Sequence, residues 1–68
     1  MTIRIGEKRR LPQFMGGEIA QVVEVAPDWP WVQRVRGYEG IVHYQTETRR
    51  GAETFEAWRN FGLIDGGL

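Results

Sequence analysis

The chain has no cysteine, no serine and a single histidine, His43. Nucleophilic catalysis requires a serine, a cysteine or a comparable group beside a base, and a closed zinc site requires about four nitrogen or sulfur ligands. The sequence therefore predicts a protein that is not an enzyme and that uses no metal or other cofactor. Small domains are usually stabilised by disulfides, by a bound metal or by oligomerisation. Because the first two are ruled out here, we consider self-association as the remaining source of stability.

Long apolar runs and an excess of one charge are also lacking. No stretch approaches the ~20 apolar residues of a membrane-spanning helix, and residues 1–14 lack the apolar segment of a signal peptide. Nine basic residues balance nine acidic ones, so no global field attracts nucleic acid or an anionic membrane. We expect one domain over residues 1–68, located in the cytoplasm and without a membrane partner. The size is typical of accessory or inhibitory proteins of phages.

Two alternating apolar runs, Trp31–Arg36 and Ile41–Thr46, flank the sequence Gly37-Tyr38-Glu39-Gly40. Alternation on both sides of a turn bounded by glycine predicts a β-hairpin. A third run follows Gly51, for which we expect a left-handed conformation at the end of the second turn. The central part of the chain is thus predicted to be a three-stranded antiparallel meander, within antiparallel strands spanning residues 18–55.

The register of this meander follows from strand alternation, because successive side chains point to opposite faces. A turn centred on Tyr38 and Glu39 pairs Val35 with Val42, and a turn at Arg49 and Arg50 places Tyr44 opposite Phe55. The apolar face predicted in this way consists of Trp31, Val35, Val42, Tyr44 and Phe55. The opposite face is predicted to be mixed, basic and partly apolar.

The residues before the meander predict a strand, a loop and a longer strand. Thr2–Gly6 alternates like a short strand, while Pro12 and two glycines predict a loop over residues 7–17. Within the loop we expect Phe14 and Met15 to fold back over the core. Glu18–Ala26 is rich in valine and predicts a strand, whose core-facing residues we expect to be Ile19, Gln21, Val23 and Val25.

The residues after the meander predict a short helix over 54–61. Thr54 is suited to cap it and Gly62 to end it, and three aromatic residues spaced three apart fall on one side: Phe55, Trp58 and Phe61. We expect Leu63-Ile64 to form a last short strand and residues 65–68 to be frayed. The fold class is therefore mainly β, either a small SH3-like barrel whose last strand pairs with the first, or an open antiparallel sheet covered by the helix.

One segment supports the barrel alternative by resemblance. Val32–Val42 resembles the KOW motif of ribosomal and transcription-factor barrels, in which a strand leads to a glycine loop and a second glycine precedes valine. The segment lacks the Gly-Asp pair that opens the motif and the lysine-rich loop that contacts RNA. The resemblance implies an SH3-like barrel that binds nucleic acid.

The candidate working surface is the mixed face of the meander together with a tryptophan corner. Apolar residues ringed by arginine are typical of protein interfaces, and Trp29-Pro30-Trp31 holds two large rings that are suited to ligand stacking. We expect a small non-enzymatic module that binds a protein, itself included; the alternative is a nucleic-acid-binding barrel that uses the same arginines. The predicted partner-binding residues are Trp29, Trp31, Val32, Arg34, Arg36, Tyr38, Ile41 and His43.

Overall fold

The computed structural model of the chain describes residues 3–27 and 40–67. It is mainly β, with five antiparallel strands in one open sheet and one short α-helix. The order across the sheet is β4-β3-β2-β1-β5. The strands and helices are β1 (Lys8–Arg10), a 3-10 helix (Gln13–Met15), β2 (Ile19–Pro27), β3 (Gly40–Gln45), β4 (Arg50–Thr54), α1 (Phe55–Arg59) and β5 (Gly62–Asp65).

One face of the sheet carries the core, and α1 packs against it. The Trp58 ring stacks on the Tyr44 ring with 5.8 Å between centroids, and Phe61 meets Trp58 edge-on. Stacked and edge-on aromatic pairs stabilise beyond the apolar area they bury. The buried hydrophobic residues of the described part of the chain are Ile3, Leu11, Ala20, Val22, Val42, Tyr44 and Trp58.

Strand β2 confirms the strand predicted over Glu18–Ala26, but its core face is the opposite of the predicted one. Ala20 and Val22 are buried. A β-bulge before Glu24 adds one residue, so the alternation reverses and Val25 again packs against the core. The residues wrongly predicted to face the core are Ile19, Gln21 and Val23, all of which are exposed.

Strand β3 has different neighbours from those predicted. It pairs with β2 on one edge, where Val42 opposes Val25, and with β4 on the other. Both edges of β3 are thus occupied by described strands, whereas the predicted partner of Ile41–Thr46, Trp31–Arg36, lies outside the described residues. The predicted core positions Val42 and Tyr44 are nevertheless both buried. Trp31 and Val35 lie outside the described residues.

The β3–β4 register differs from the predicted one because the turn begins earlier. The Thr46 hydroxyl accepts hydrogen bonds from the N–H groups of Thr48 and Arg49 at 3.2 and 3.1 Å, which fixes a turn immediately after β3. Tyr44 therefore opposes Gly51 instead of position 55. This shift of four positions is even, so each side chain keeps its predicted face.

Gly51 does not take the predicted left-handed conformation. It lies within β4, and a Cβ built there would overlap the Tyr44 ring. The absence of a side chain, and not a positive φ, is what this position requires.

The first strand lies later than predicted. Residues 3–6 form no strand, and β1 falls at Lys8–Arg10, inside the predicted loop. The chain turns at Gly6, whose φ is 90°, and Arg9 occupies a buried position that the hydrophobic pattern does not reveal. The rest of the loop contains the 3-10 helix, where Met15 packs against the core but Phe14 projects into solvent, contrary to the expected lid.

The carboxyl-terminal elements confirm a short helix and a last strand. The helix covers Phe55–Arg59 instead of 54–61, and Asp65, predicted to be frayed, belongs to β5 and pairs with Lys8. Thr54 caps α1, and its hydroxyl accepts a 3.2 Å hydrogen bond from the Ala57 N–H. Leu63 and Ile64 lie in β5, which pairs with β1 as expected of a last strand that returns to the first. In the described residues no pairing joins β4 to β5, so the sheet is open and a closed barrel is not confirmed.

Candidate functional site

The face of the sheet opposite the core, here called the outer face, holds the described part of the predicted site. Val42 and Tyr44 point into the core, so alternation places Ile41 and His43 on the outer face together with Gln45. Both predicted residues are half-buried. Ile41 stands between Ala26 and Thr54, while the neighbours of His43 on the flanking strands are Glu24 and Ala52.

Most of the predicted site falls in residues 28–39, which lie outside the described residues. The structure therefore brings together Ile41 and His43 on one strand, and their relation to the other predicted positions stays a prediction. Those positions are Trp29, Trp31, Val32, Arg34, Arg36 and Tyr38. Of the segment that resembles the KOW motif, only Gly40-Ile41-Val42 is described.

Cross-strand pairing builds a polar row across four strands of the outer face. Gln45 on β3 opposes Gln21 on β2, Gln21 opposes Lys8 on β1, and Lys8 opposes Asp65 on β5. A bulge in the β1–β5 pairing follows Lys8, so Ile64 has no direct partner. The row therefore combines amide, ammonium and carboxylate groups along one line.

This row forms the floor of an open groove of about 610 Å³. Ile19 and Ile64 line it and are 44% and 48% exposed. The groove residues, named here as a set, are Lys8, Ile19, Gln21, Gln45, Thr46, Glu47, Ile64 and Asp65. A concave surface with apolar patches and a few convergent polar groups has the chemistry of a binding site.

The charges of the groove are uneven. Two carboxylates, on Glu47 and Asp65, accompany the single ammonium of Lys8. A smaller hollow of about 250 Å³ continues the groove past Ile19 toward Arg10 and Gly17. The groove thus carries one more carboxylate than ammonium, and the hollow that continues it adds the Glu18 carboxylate and the Arg10 guanidinium.

That loop, Pro12–Gly17, carries the most exposed aromatic side chain of the described residues. Phe14 is 87% exposed, although Leu11 before the loop and Met15 within it belong to the core region. A phenyl ring that is exposed to this extent does not contribute to core packing. Exposed apolar surface is typical of interaction sites.

Four of the described arginines are occupied with contacts inside the fold. Arg9 is buried and its Nε lies 2.9 Å from Glu7 Oε2, while Arg59 lies over the Phe55 ring. Arg10 donates to the Gly17 carbonyl at 2.9 Å. Arg49 donates to the Met15 carbonyl at 2.9 Å and lies 3.7 Å from Glu18. These four side chains stabilise the loops and the helix end.

Sequence reasoning missed the groove, because several of its residues were assigned to the core, to a loop or to a frayed end. Ile19 was expected to face the core, and Lys8 was placed in a loop. One residue of the sequence pointed to the error in the predicted core face of β2. Val22 is apolar but falls on the face that was expected to be exposed, and the bulge that reverses the alternation follows it. For Phe14 the composition of the loop gave no signal.

Comparisons of the chain with protein-family models, with curated proteins and with solved structures give no significant match. Over residues 3–27 and 40–67, no helix has the length and apolar character needed to cross a membrane. The same residues contain no group of three or more histidine, cysteine, aspartate or glutamate side chains arranged to hold a metal ion.

Proposed function

We propose that this protein is a small non-enzymatic module that binds proteins through the groove on the outer face of its sheet. The observation that carries the proposal is the pair Ile19 and Ile64, which are about half exposed in one concave surface and lie on the same side of its polar row. Exposed apolar residues next to polar side chains have the composition of a protein interface. The neighbouring Ile41 and His43 extend this surface along β3.

The loop and helix contacts of the arginines favour a protein partner over nucleic acid. Nucleic-acid binding depends on lysine and arginine side chains that neutralise phosphates. Arg9, Arg10 and Arg49 instead donate hydrogen bonds to the protein's own carbonyl and carboxylate groups. An accessory or inhibitory role, in which one protein surface covers another, fits such a module.

The strand connectivity supports a relationship to SH3-like folds as part of this proposal. Strands β1 to β4 follow one another in the sheet, the last strand returns to β1, and the short helix lies between β4 and β5. An SH3-like chain has this order before its sheet closes into a barrel. The likeness is one of topology and carries no ligand with it.

The proposal is tested by affinity capture from a lysate of the source organism. Ile19→Lys combined with Ile64→Lys places two charges in the groove, and we expect the captured partner to be lost. Ile5→Lys is the matched control, because Ile5 is also exposed, at 58%, but does not line the groove. Equal capture by the groove variant and the control would refute the groove as the binding surface.

A nucleic-acid partner is examined separately with a short mixed-sequence oligonucleotide. Phosphate contacts make affinity fall steeply with salt, whereas an apolar interface is less sensitive. We expect the sedimentation coefficient of the protein to stay the same when the oligonucleotide is added. A salt-sensitive complex would favour the nucleic-acid alternative.

A further inference from the structure

We propose that the groove receives the Phe14 loop of a second copy of this chain, so that two copies exchange loops in a two-fold dimer. This inference rests on the proposed function, because it names the partner of the same groove. Three observations support it: the Phe14 loop is preformed, the loop and the groove carry complementary charges, and the loop lies next to the groove. In this arrangement Phe14 is the anchor and Ile19 and Ile64 receive it.

The loop is preformed in the single chain. The N–H groups of Met15 and Gly17 both donate to the Pro12 carbonyl, at 2.9 and 3.0 Å. Gly16 and Gly17 have φ values of 107° and 67°, which other residues adopt only with strain. The backbone that presents Phe14 is therefore fixed before any partner arrives.

Two guanidinium groups brace the loop from different strands. Arg10, at the end of β1, donates to the Gly17 carbonyl, and Arg49, beside β4, donates to the Met15 carbonyl, each at 2.9 Å. An anchor whose loop is already ordered loses less conformational entropy on association. Large aromatic side chains presented in this way are typical anchors of protein interfaces.

The charges of the loop and the groove are complementary. Arg10 and Arg49 flank the loop together with the Glu18 carboxylate, which lies 3.7 Å from Arg49, while Glu47 and Asp65 accompany Lys8 in the groove. The loop surface, with one excess positive charge and an aromatic ring, thus meets a groove with one excess negative charge and two isoleucines. Opposite charges on facing surfaces favour this pairing and fix its orientation.

The two surfaces also adjoin each other on one side of the molecule. The smaller hollow is lined by Gly17 of the loop and by Ile19 and Glu47 of the groove. In a two-fold dimer the same patch of each copy faces itself. An axis that passes near Ile19 places the Phe14 of each copy against the groove of the other.

Sedimentation velocity of the purified chain over a range of concentrations measures the dimer directly. We expect the wild type to dimerise, and Phe14→Ala to weaken dimerisation by at least about 30-fold, the loss typical of an interface anchor. Because Phe14 is almost fully exposed, the variant keeps its fold, which circular dichroism checks. Ile5→Ala is the matched control and should dimerise like the wild type.

Mixing two variants, each of which lacks one of the two contact surfaces, is the decisive test of loop exchange. Phe14→Ala keeps an intact groove, and Ile19→Lys with Ile64→Lys keeps an intact Phe14. Each variant should be monomeric alone, whereas an equimolar mixture should form a heterodimer with one of the two contacts. A mixture that remains monomeric where the wild type dimerises would refute loop exchange, as would Phe14→Ala dimerising like the wild type.

A wild type that stays monomeric up to about 1 mM, where association free energies are only about −4 kcal/mol, overturns the dimer. That result leaves the proposed function standing if the groove still captures another protein in the lysate experiment. Species that grow beyond a dimer with concentration would also contradict the two-fold arrangement. The failure of this inference is thereby separate from the failure of the proposed function.

Discussion

The indole N–H of Trp58 donates a 2.6 Å hydrogen bond to Oε2 of Glu7, 51 residues earlier in the chain. The same oxygen accepts a 2.9 Å hydrogen bond from Arg9 Nε. Arg9 in turn donates through Nη1 to the Phe61 carbonyl at 2.8 Å. Glu7 and Arg9 are both buried, so this cluster joins the first strand to the end of the helix inside the core.

Glu7→Ala removes the carboxylate and leaves the Arg9 guanidinium buried without its charge partner. Breaking a buried ion pair in this way destabilises by about 3–5 kcal/mol, a large part of the ~5–15 kcal/mol that stabilises typical domains. Urea unfolding followed by circular dichroism measures the loss. The control is Glu56→Ala on the exposed side of α1, which should cost less than about 1 kcal/mol. Equal stability of the two variants would contradict the buried cluster.

We predict that Tyr44 contributes to the free energy of unfolding mainly through its ring and only modestly through its hydroxyl. Tyr44→Ala empties a buried site beside Trp58 and should cost about 3–5 kcal/mol. Tyr44→Phe loses only the 3.3 Å hydrogen bond from Arg49 to the hydroxyl oxygen and should cost about 1 kcal/mol. Denaturant unfolding compares the two variants. A cooperative Tyr44→Ala variant of unchanged stability would show that the ring is not part of the core.

Two glycines in strands are predicted to respond oppositely to alanine. A Cβ on Gly51 would overlap the Tyr44 ring, so Gly51→Ala should destabilise by about 1–3 kcal/mol. A Cβ on Gly62 meets nothing within 4 Å, so Gly62→Ala should be neutral or stabilise by up to about 1 kcal/mol. Thermal unfolding of the pair measures the difference. Equal melting temperatures would argue against the β3–β4 register.

The cap of α1 predicts a graded response at Thr54. Thr54→Ala removes the oxygen that accepts from the Ala57 N–H and should cost about 1 kcal/mol. Thr54→Ser keeps a hydroxyl at the same place and should retain most of the stability. Far-ultraviolet circular dichroism and urea unfolding measure both. If serine were no better than alanine, the hydroxyl would not be acting as a cap.

The parts of the fold that local patterns determine could be predicted from sequence. Thr54 followed by three aromatic residues at helical spacing predicts α1 and its buried side, and valine-rich alternation predicts β2. The core face of β2 could not be predicted, because a bulge before Glu24 reverses the alternation and no residue there requires it. β1 was missed since its buried position is Arg9, whose charge is satisfied by residues far along the chain.

The candidate site could be predicted only in part for the same physical reasons. Ile41 and His43 were placed on the outer face because they alternate with Val42 and Tyr44. The groove requires β1 and β5 to lie beside β2, and this pairing joins residues such as Lys8 and Asp65 that are distant in sequence. A local pattern carries no information on such a neighbour.

Photo-crosslinking from the floor of the groove tests the central claim most directly. A photoreactive phenylalanine analogue replaces Gln21, which lies in the polar row, or Glu56 on the exposed side of α1 as a control. We expect position 21 to form protein adducts on irradiation in lysate and position 56 to form none. Adducts that form equally from both positions, or only from position 56, would contradict the groove as the binding surface.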